Sequence, residues 1–350
     1  MKKPILFNGR EIGAGAPVYF IAEISANHNQ SYERAVEVIK AAKAAGADAV
    51  KLQTYTADTI TIESDKPYFR VGGGTLWDGA TLYQLYSEAY TPWEWQPHLK
   101  ALAESLGLGF LSTPFDATAV EFLEGMGVES YKVASSELVD ISLLKCIGAT
   151  GKPVILSCGM ATLAEIDEAI KTLNQAGSEN IILLKCTSSY PCPPDEMNLL
   201  TIPHMEMTFG LQVGLSDHSM GYFAAVAAVS LGACVVEKHL TLRRSDGGPD
   251  SAFSMEPEEF AEMVRASRLV ERSLGRVYYG PTPSEKSPVL YRRSLFVCES
   301  VAAGELLTEQ NVRSIRPGTG MHTRHYTDVI GKFARRRLEK GTPLNWDMVD

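Results

Sequence analysis

Eight short runs rich in Val, Ile and Leu recur through residues 19–240, and most are separated by stretches with helical spacing. They are YFIAEIS (19–25), AVKLQTY (49–55), GFLSTP (109–114), SYKVAS (130–135), PVILSCG (153–159), IILLKCTSSY (181–190), FGLQVGLSDH (209–218) and CVVEKHL (234–240). None alternates cleanly between apolar and polar residues. That is the pattern of strands covered on their outer face by helices. Between them, residues 31–46 place Ala35, Ile39 and Ala42 on one face and end at Gly46. Thr162 and Glu165 have capping-box spacing, and Thr91-Pro92-Trp93-Glu94 reads as a second helix start with Thr91 as its N-cap. Residues 256–275 read as a last amphipathic helix. Eight β-α units in this length predict an α/β fold, a (β/α)8 TIM barrel over residues 1–275, with an open doubly wound sheet as the alternative. The first 16 residues precede the first run and are expected to cap the barrel floor.

In such a barrel the chemistry sits at the C-terminal ends of the strands. Here those ends are polar on every run. Glu23 and Asn27 follow the first, Lys51, Gln53 and Tyr55 lie on the second, and Thr113 and Asp116 follow the third. Lys132, Ser135 and Glu137 mark the fourth and Ser157 the fifth. Thr187, Ser188 and Tyr190 mark the sixth, Asp217 and His218 the seventh, and Glu237, Lys238 and His239 the eighth. Any one of these can be a satisfied buried polar group. Eight in succession is hard to reconcile with packing alone, because buried polar groups are costly without partners.

His218 and His239 end adjacent strands, so their imidazoles can converge on a divalent metal; the bland reading is two hydrogen-bonded core histidines. Asp217, Glu237 and Asp250 are carboxylates that can join or orient such a site. Lys51 and Lys132 fall on strands that should be nearly dry. A lysine there pairs with an anion, forms a Schiff base, or signals a misplaced strand. Ser135, Ser157 and Ser188 can cradle a phosphate that Lys132 neutralises. The long segment 56–90 carries Gly72, Gly73 and Gly74 and the aromatic residues Trp77, Tyr83 and Tyr86, which suit either a sugar pocket or a small satellite core.

The net charge of −9 argues against nucleic acid as a partner, but leaves room for a local cationic pocket. No apolar run approaches the ~20 residues that cross a bilayer. The six scattered cysteines, with no C-x-x-C pair, read as reduced core thiols of a cytoplasmic chain. Residues 276–292, with three prolines and no periodicity, read as a linker. Residues 293–350 change texture to short strand-like runs and Gly turns, a small mostly-β domain of marginal size.

Taken together, IAEISANHNQ, KLQTY, FLSTPFD, YKVASSE, VILSCGMAT, KCTSSYP, GLSDHS and EKHLTLRRSDGGPDSAFS resemble the sialic acid synthase family along nearly the whole chain. The tail resembles that family's antifreeze-like (SAF, β-clip) domain, with IRPGTG as its signature. SANHN and GTLWDGATLYQLYSEAYTPWEW are similar to the branch that makes pseudaminic acid. The resemblance implies a metal-dependent transferase joining phosphoenolpyruvate to a 2,4-diacetamido-2,4,6-trideoxy-altrose, with release of phosphate. N-acetylneuraminic or legionaminic acid synthesis, or non-catalytic sugar binding, are the alternatives.

The resemblance further implies that Glu23, Glu237 and Asp250 face the sugar and that Lys51 and Thr113 hold the carboxylate of phosphoenolpyruvate. Lys132, Ser135, Ser157 and Ser188 hold its phosphate, with Tyr190 lining the site. His218 and His239 bind a divalent ion of the Mn2+ or Mg2+ class. The catalytic assignment rests on Glu23, Glu237 and His239. Arg316 is expected to reach the pocket of a second copy in a domain-swapped homodimer.

Overall fold

A short antiparallel hairpin, β1 (Ile5–Phe7) and β2 (Arg10–Ile12), opens the chain in the computed structural model, which describes residues 3–13, 15–74 and 76–350. Eight strands follow, all parallel: β3 (Tyr19–Glu23), β4 (Ala49–Thr54), β5 (Gly109–Pro114), β6 (Tyr131–Val133), β7 (Val154–Ser157), β8 (Ile181–Cys186), β9 (Gln212–Asp217) and β10 (Val235–His239). Their hydrogen-bonded order is β5–β4–β3–β10–β9–β8–β7–β6, and β5 and β6 lie side by side, so the sheet curls into a nearly closed barrel. The pairing of β10 with β3 joins the last strand to the first.

Side chains alternate across each strand, so two cores form. Tyr19, Ile21, Ala49, Leu111, Ile155, Ile182, Leu184 and Val235 fill the barrel interior, and Phe7 and Ile12 of the hairpin plug it from below. Asn8 fastens that plug: its amide donates to Phe110 O at 3.2 Å and its carbonyl accepts from Ser130 Oγ at 2.8 Å. The outward residues Phe20, Ala22, Val50, Leu52, Val213, Leu215 and Val236 join the helices in the larger outer core. The expected floor cap is thus a hairpin.

The helix Tyr32–Ala44 starts where Ser31 accepts the Arg34 N–H and buries Ala35, Val38, Ile39 and Ala42. Leu163–Ala176 begins with the expected Thr162–Glu165 capping box, and Pro257–Leu274 with Glu256 and Glu259 in the same roles. The start expected at Thr91 is different. A 3-10 turn, Trp93–Trp95, leads into a helix at Gln96–Ser105, and Thr91 Oγ1 pairs with His28 Nε2 at 3.1 Å instead of capping. A long-range partner outcompetes the local one. The described part of segment 56–90 contains the short helices Ala57–Ile60 and Leu82–Ala89 and a 3-10 turn, Pro67–Phe69.

Residues Met1–Gly275 make one compact unit and Arg276–Asp350 a second. In the second, β11 (Ser294–Val297) pairs antiparallel with β12 (Val312–Ile315), over a core that includes Leu295, Val297, Leu307, Val312, Leu338 and Leu344. Segment 276–292 holds only two 3-10 turns, Pro283–Glu285 and Pro288–Tyr291, and Leu290 O accepts the Gly318 N–H at 2.8 Å. Among the described residues no helix is long and apolar enough to cross a membrane.

Gly214 shows how tight the barrel interior is. A Cβ there would stand 2.8 Å from Leu184 Cδ2 and against Val235 O. Gly214→Ala is therefore expected to lower stability by about 1–3 kcal/mol through overpacking. A denaturant midpoint equal to that of the parent chain would contradict this packing.

Candidate active site

The C-terminal mouth of the barrel opens into a cavity of about 430 Å3. Its floor is charged. Glu23 and Lys51 are register partners on β3 and β4, and Lys51 Nζ lies 2.8 Å from Glu23 Oε2. The same ammonium is 3.3 Å from Glu237 Oε1 on β10 and 3.3 Å from Thr113 Oγ1 on β5. Lys132 approaches from β6, 3.7 Å from Glu237 Oε1, and donates to Ser157 Oγ at 2.7 Å. All four charged side chains are at most 5% exposed. Two carboxylates and two ammonium groups thus neutralise one another out of water, which is what makes their burial tolerable.

Burial pushes the Glu23 carboxyl up, as does the negative charge of Glu237, with Lys51 opposing. For Glu237 burial acts upward too, but Lys132 and Lys51 outweigh it and hold it below its ordinary range. Burial pulls Lys132 down against the attraction of Glu237. For Lys51 burial is outweighed by the two carboxylates, and its affinity for its proton rises.

Beside Lys132 is a ring of small polar groups. Ser135 Oγ accepts the Gly159 N–H at 3.0 Å. A Cβ at Gly159 would lie 2.5 Å from Ser188 Oγ and 2.7 Å from Ser135 Oγ, so the missing side chain lets both hydroxyls converge. Together with Ser157 they line the cavity around one lysine. This is a concave, donor-rich site suited to a phosphate.

The two histidines meet across β9 and β10, with ring centroids 5.5 Å apart. His218 Nδ1 is 3.0 Å from Thr187 O, which leaves Nε2 as its free nitrogen. Burial disfavours the charged form of His218, but Cys186 Sγ, 3.8 Å from Nδ1, raises its pKa. His239 is held well below the ordinary histidine range by burial and by the positive charge of His218, Lys51 and Lys238, so it is neutral near pH 7. Its buried Nδ1 has no hydrogen-bond partner. Among the described residues no three His, Cys, Asp or Glu side chains converge closely enough to hold a metal. Two imidazoles with an unengaged nitrogen fit an open site whose other positions belong to water or substrate.

Other lining residues are apolar and aromatic. Tyr190 packs 4.2 Å from the His218 ring and 5.1 Å from Phe253, and Trp77 reaches within 6.0 Å of Tyr190. Trp77 Nε1 donates to Pro249 O at 2.9 Å, which ties the long loop to the loop after β10. Val71, Leu82, Leu85 and Tyr86 complete this set. Asp250 lines the cavity too, bonded to Ser25 Oγ and, at 3.3 Å, to the Ala26 N–H.

The mouth therefore brings together Glu23, Lys51, Lys132, Ser135, Ser157, Ser188, Tyr190, His218, Glu237, His239 and Asp250. Thr113 is fully buried beneath Lys51 and does not line the cavity. Arg316 lies in the second unit, exposed, just after β12. Asp217 does not join the cavity lining, which leaves it the orienting role of the two expected. It faces the outer layer, where Lys238 Nζ holds it at 2.6 Å, because strand alternation turns it away once His218 points in. Tyr83 also stays out of the cavity; its exposed hydroxyl donates to Asp58 at 3.0 Å.

Gln53 and Glu137, two of the polar strand ends, also line the cavity, and so does Cys186. Gln53 donates to Glu23 Oε1 at 2.9 Å. Cys186, read as a core thiol, lines the cavity; burial pushes the thiol up, but His218 prevails and brings it to about 6. Glu137 has a buried Oε2 with no hydrogen-bond partner, and burial pushes its carboxyl to about 7. Cys186 shares a strand face with Ser188, so alternation alone points to it.

Comparison with known proteins agrees with this geometry. The NeuB family model matches residues 38–279 and the SAF domain model residues 292–350. The chain is 42% identical to the pseudaminic acid synthase of Helicobacter pylori, covering 95% of this chain and 98% of that one. It is 42% identical to the pseudaminic acid synthase of Campylobacter jejuni serotype O:23/36, over 93% and 95% of the two chains. Identity to the N,N'-diacetyllegionaminic acid synthase of Legionella pneumophila is 34%, over 97% and 96%. The crystal structure of N-acetylneuraminic acid synthetase from Leptospira borgpetersenii, in complex with citrate, superposes with a TM-score of 0.74 at 31% identity, covering 83% of this chain and 96% of that one. By sequence, fold and the residues gathered at its barrel mouth, this chain belongs to the NeuB family, the sialic acid synthases, and carries a SAF domain.

Proposed function

We propose that this enzyme joins phosphoenolpyruvate to an open-chain diacetamido trideoxy sugar aldehyde, giving pseudaminic acid and phosphate. The observation that carries the reading is that one cavity is lined by two chemically different sets of residues. One holds Lys132 with three serine hydroxyls, and the other holds Trp77, Tyr86, Leu82 and Leu85. The first suits a small polyanion, and the second suits methyl and acetamido groups. The higher identity to pseudaminic acid synthases than to the legionaminic acid synthase supports the choice of acceptor.

In this reading Lys132, Ser135, Ser157 and Ser188 hold the phosphate of phosphoenolpyruvate, and Lys51, backed by Thr113, meets its carboxylate. Because Lys51 and Lys132 are already fixed by Glu23 and Glu237, they bind the anion without first being ordered. Tyr190 closes the side of the cleft. Glu23, Glu237 and Asp250 accept hydrogen bonds from sugar hydroxyl or amide groups. A divalent ion of the Mn2+ or Mg2+ class, held by His218 and His239, supplies Lewis-acid polarisation of the aldehyde oxygen when bound. The nucleophilic CH2 carbon of phosphoenolpyruvate attacks the aldehyde carbon, and water adds to the resulting cation with one proton passing to the new alkoxide; the hydroxyl left at that carbon then gives up its proton as phosphate leaves with C–O cleavage, forming the 2-keto acid. Arg316 completes the site of a second copy in a domain-swapped homodimer.

Acceptor choice tests the reading directly. Phosphate release from phosphoenolpyruvate should be most efficient, by kcat/KM, with the diacetamido trideoxy altrose. More efficient turnover of N-acetylmannosamine or of the legionaminic acid precursor would reject the assignment.

Glu137 gives a pH signature. Its carboxyl is neutral below about 7 and negative above. An anionic substrate in the same cavity is repelled by the negative form. A one-unit mutual shift corresponds to about 1.4 kcal/mol, or roughly tenfold in affinity. KM for phosphoenolpyruvate should therefore rise by about that factor as pH passes upward through 7, over and above the substrate's own titration, and Glu137→Gln should lack that step. The same group makes folding stability fall as pH rises between the ordinary 4.5 and about 7, since the folded chain there binds more protons. Identical KM profiles for the parent chain and Glu137→Gln would refute the assignment.

A further inference from the structure

Asp217 and Lys238 stand directly opposite each other in the parallel register of β9 and β10. Both side chains point outward, and they are 0% and 1% exposed. Lys238 Nζ donates to Asp217 Oδ2 at 2.6 Å and to Ser219 O at 2.6 Å. Asp217 Oδ1 accepts from the Ser219 N–H at 2.8 Å and from Ser219 Oγ at 2.7 Å. The cluster thus binds one side chain before His218, the backbone just after it, and the residue just before His239.

A buried ion pair is a weak source of stability, and apolar residues of similar volume usually serve a core as well or better. The same outer layer is in fact apolar one step lower on each strand, where Leu215 faces Val236. What distinguishes the level of Asp217 and Lys238 is its neighbour on the inner face. The next residue on each chain is a histidine, and the two rings meet at 5.5 Å. Neither Asp217 nor Lys238 lines the cavity.

We propose that Asp217, Lys238 and Ser219 form a positioning clasp that locks the ends of β9 and β10 together, and so fixes the spacing at which His218 and His239 take a divalent cation. This rests on the reading of the two histidines as the metal pair. The clasp acts through the backbone, so its loss leaves both imidazoles in place but no longer holds them at one separation.

The test is Mn2+ binding to the full chain without substrates, followed by the electron paramagnetic resonance signal of free Mn2+. His218→Ala serves as the reference for a lost ligand. Asp217→Asn/Lys238→Met removes both charges together, so no buried charge is left unpaired. It should keep the parent's circular dichroism and a cooperative melt, yet bind Mn2+ about 10- to 100-fold more weakly, the range typical for residues that orient metal ligands. Parent-like Mn2+ affinity in this variant, with binding lost in His218→Ala, would overturn the clasp and leave the metal pair standing. Parent-like affinity in His218→Ala would overturn the metal pair and the clasp with it. If the double variant does not fold, Asp217→Asn alone, which keeps the side-chain shape, is read by the same criterion: weaker binding supports the clasp and unchanged binding overturns it.

Discussion

The ammonium of Lys51, sealed between Glu23 and Glu237 beneath the barrel mouth, is the interaction on which the rest of the site depends. Each of these ions loses several kcal/mol of hydration on burial, and only close pairing offsets that. Pairing needs three strands side by side in one register. The barrel provides it because β10 closes on β3, setting Glu237 within reach of a lysine on β4. With Lys51 held there, Lys132 approaches the same Glu237 oxygen from β6, on the far side of the interior. The hairpin plug and the tight packing at Gly214 keep the lower barrel rigid beneath this network.

The period of two along a strand then assigns chemistry to the inside and support to the outside. On β10, Glu237 and His239 face the cavity while Lys238 faces the helices. On β9, Ser216 faces in and Asp217 faces out, and His218, just past the strand, faces in again. A run such as EKH thus serves two layers at once, and adjacent charged residues in sequence belong to different environments. Glu237 is drawn toward ionisation by two lysines, while burial holds the proton on Glu137 to about 7.

The strands and most helix starts were legible because their causes are local. Val, Ile and Leu runs mark buried parallel strands, and the Thr162–Glu165 box needs only residues three apart. Thr91 failed as a cap because its competitor, His28, comes from a distant segment. The polar strand ends were legible as a set, and so was the convergence of the histidines. Whether Asp217 joins or supports the site follows from strand parity: with His218 facing in, Asp217 faces out. Cys186 was passed over since a lone cysteine in an apolar run looks like core. The partners of Lys51 and the orphan oxygen of Glu137 were not legible at all, for they depend on which strands meet and how deeply each group is buried.

The charged floor is thus built before substrate arrives and should receive phosphoenolpyruvate without rearranging. A crystal structure of the chain with phosphoenolpyruvate and Mn2+ measures this directly. Phosphate oxygens should lie on Lys132, Ser135, Ser157 and Ser188, with Lys51 still paired to Glu23 and Glu237 at close to the present 2.8 and 3.3 Å. Phosphate bound elsewhere in the mouth, or Lys51 drawn away from both carboxylates, would contradict it.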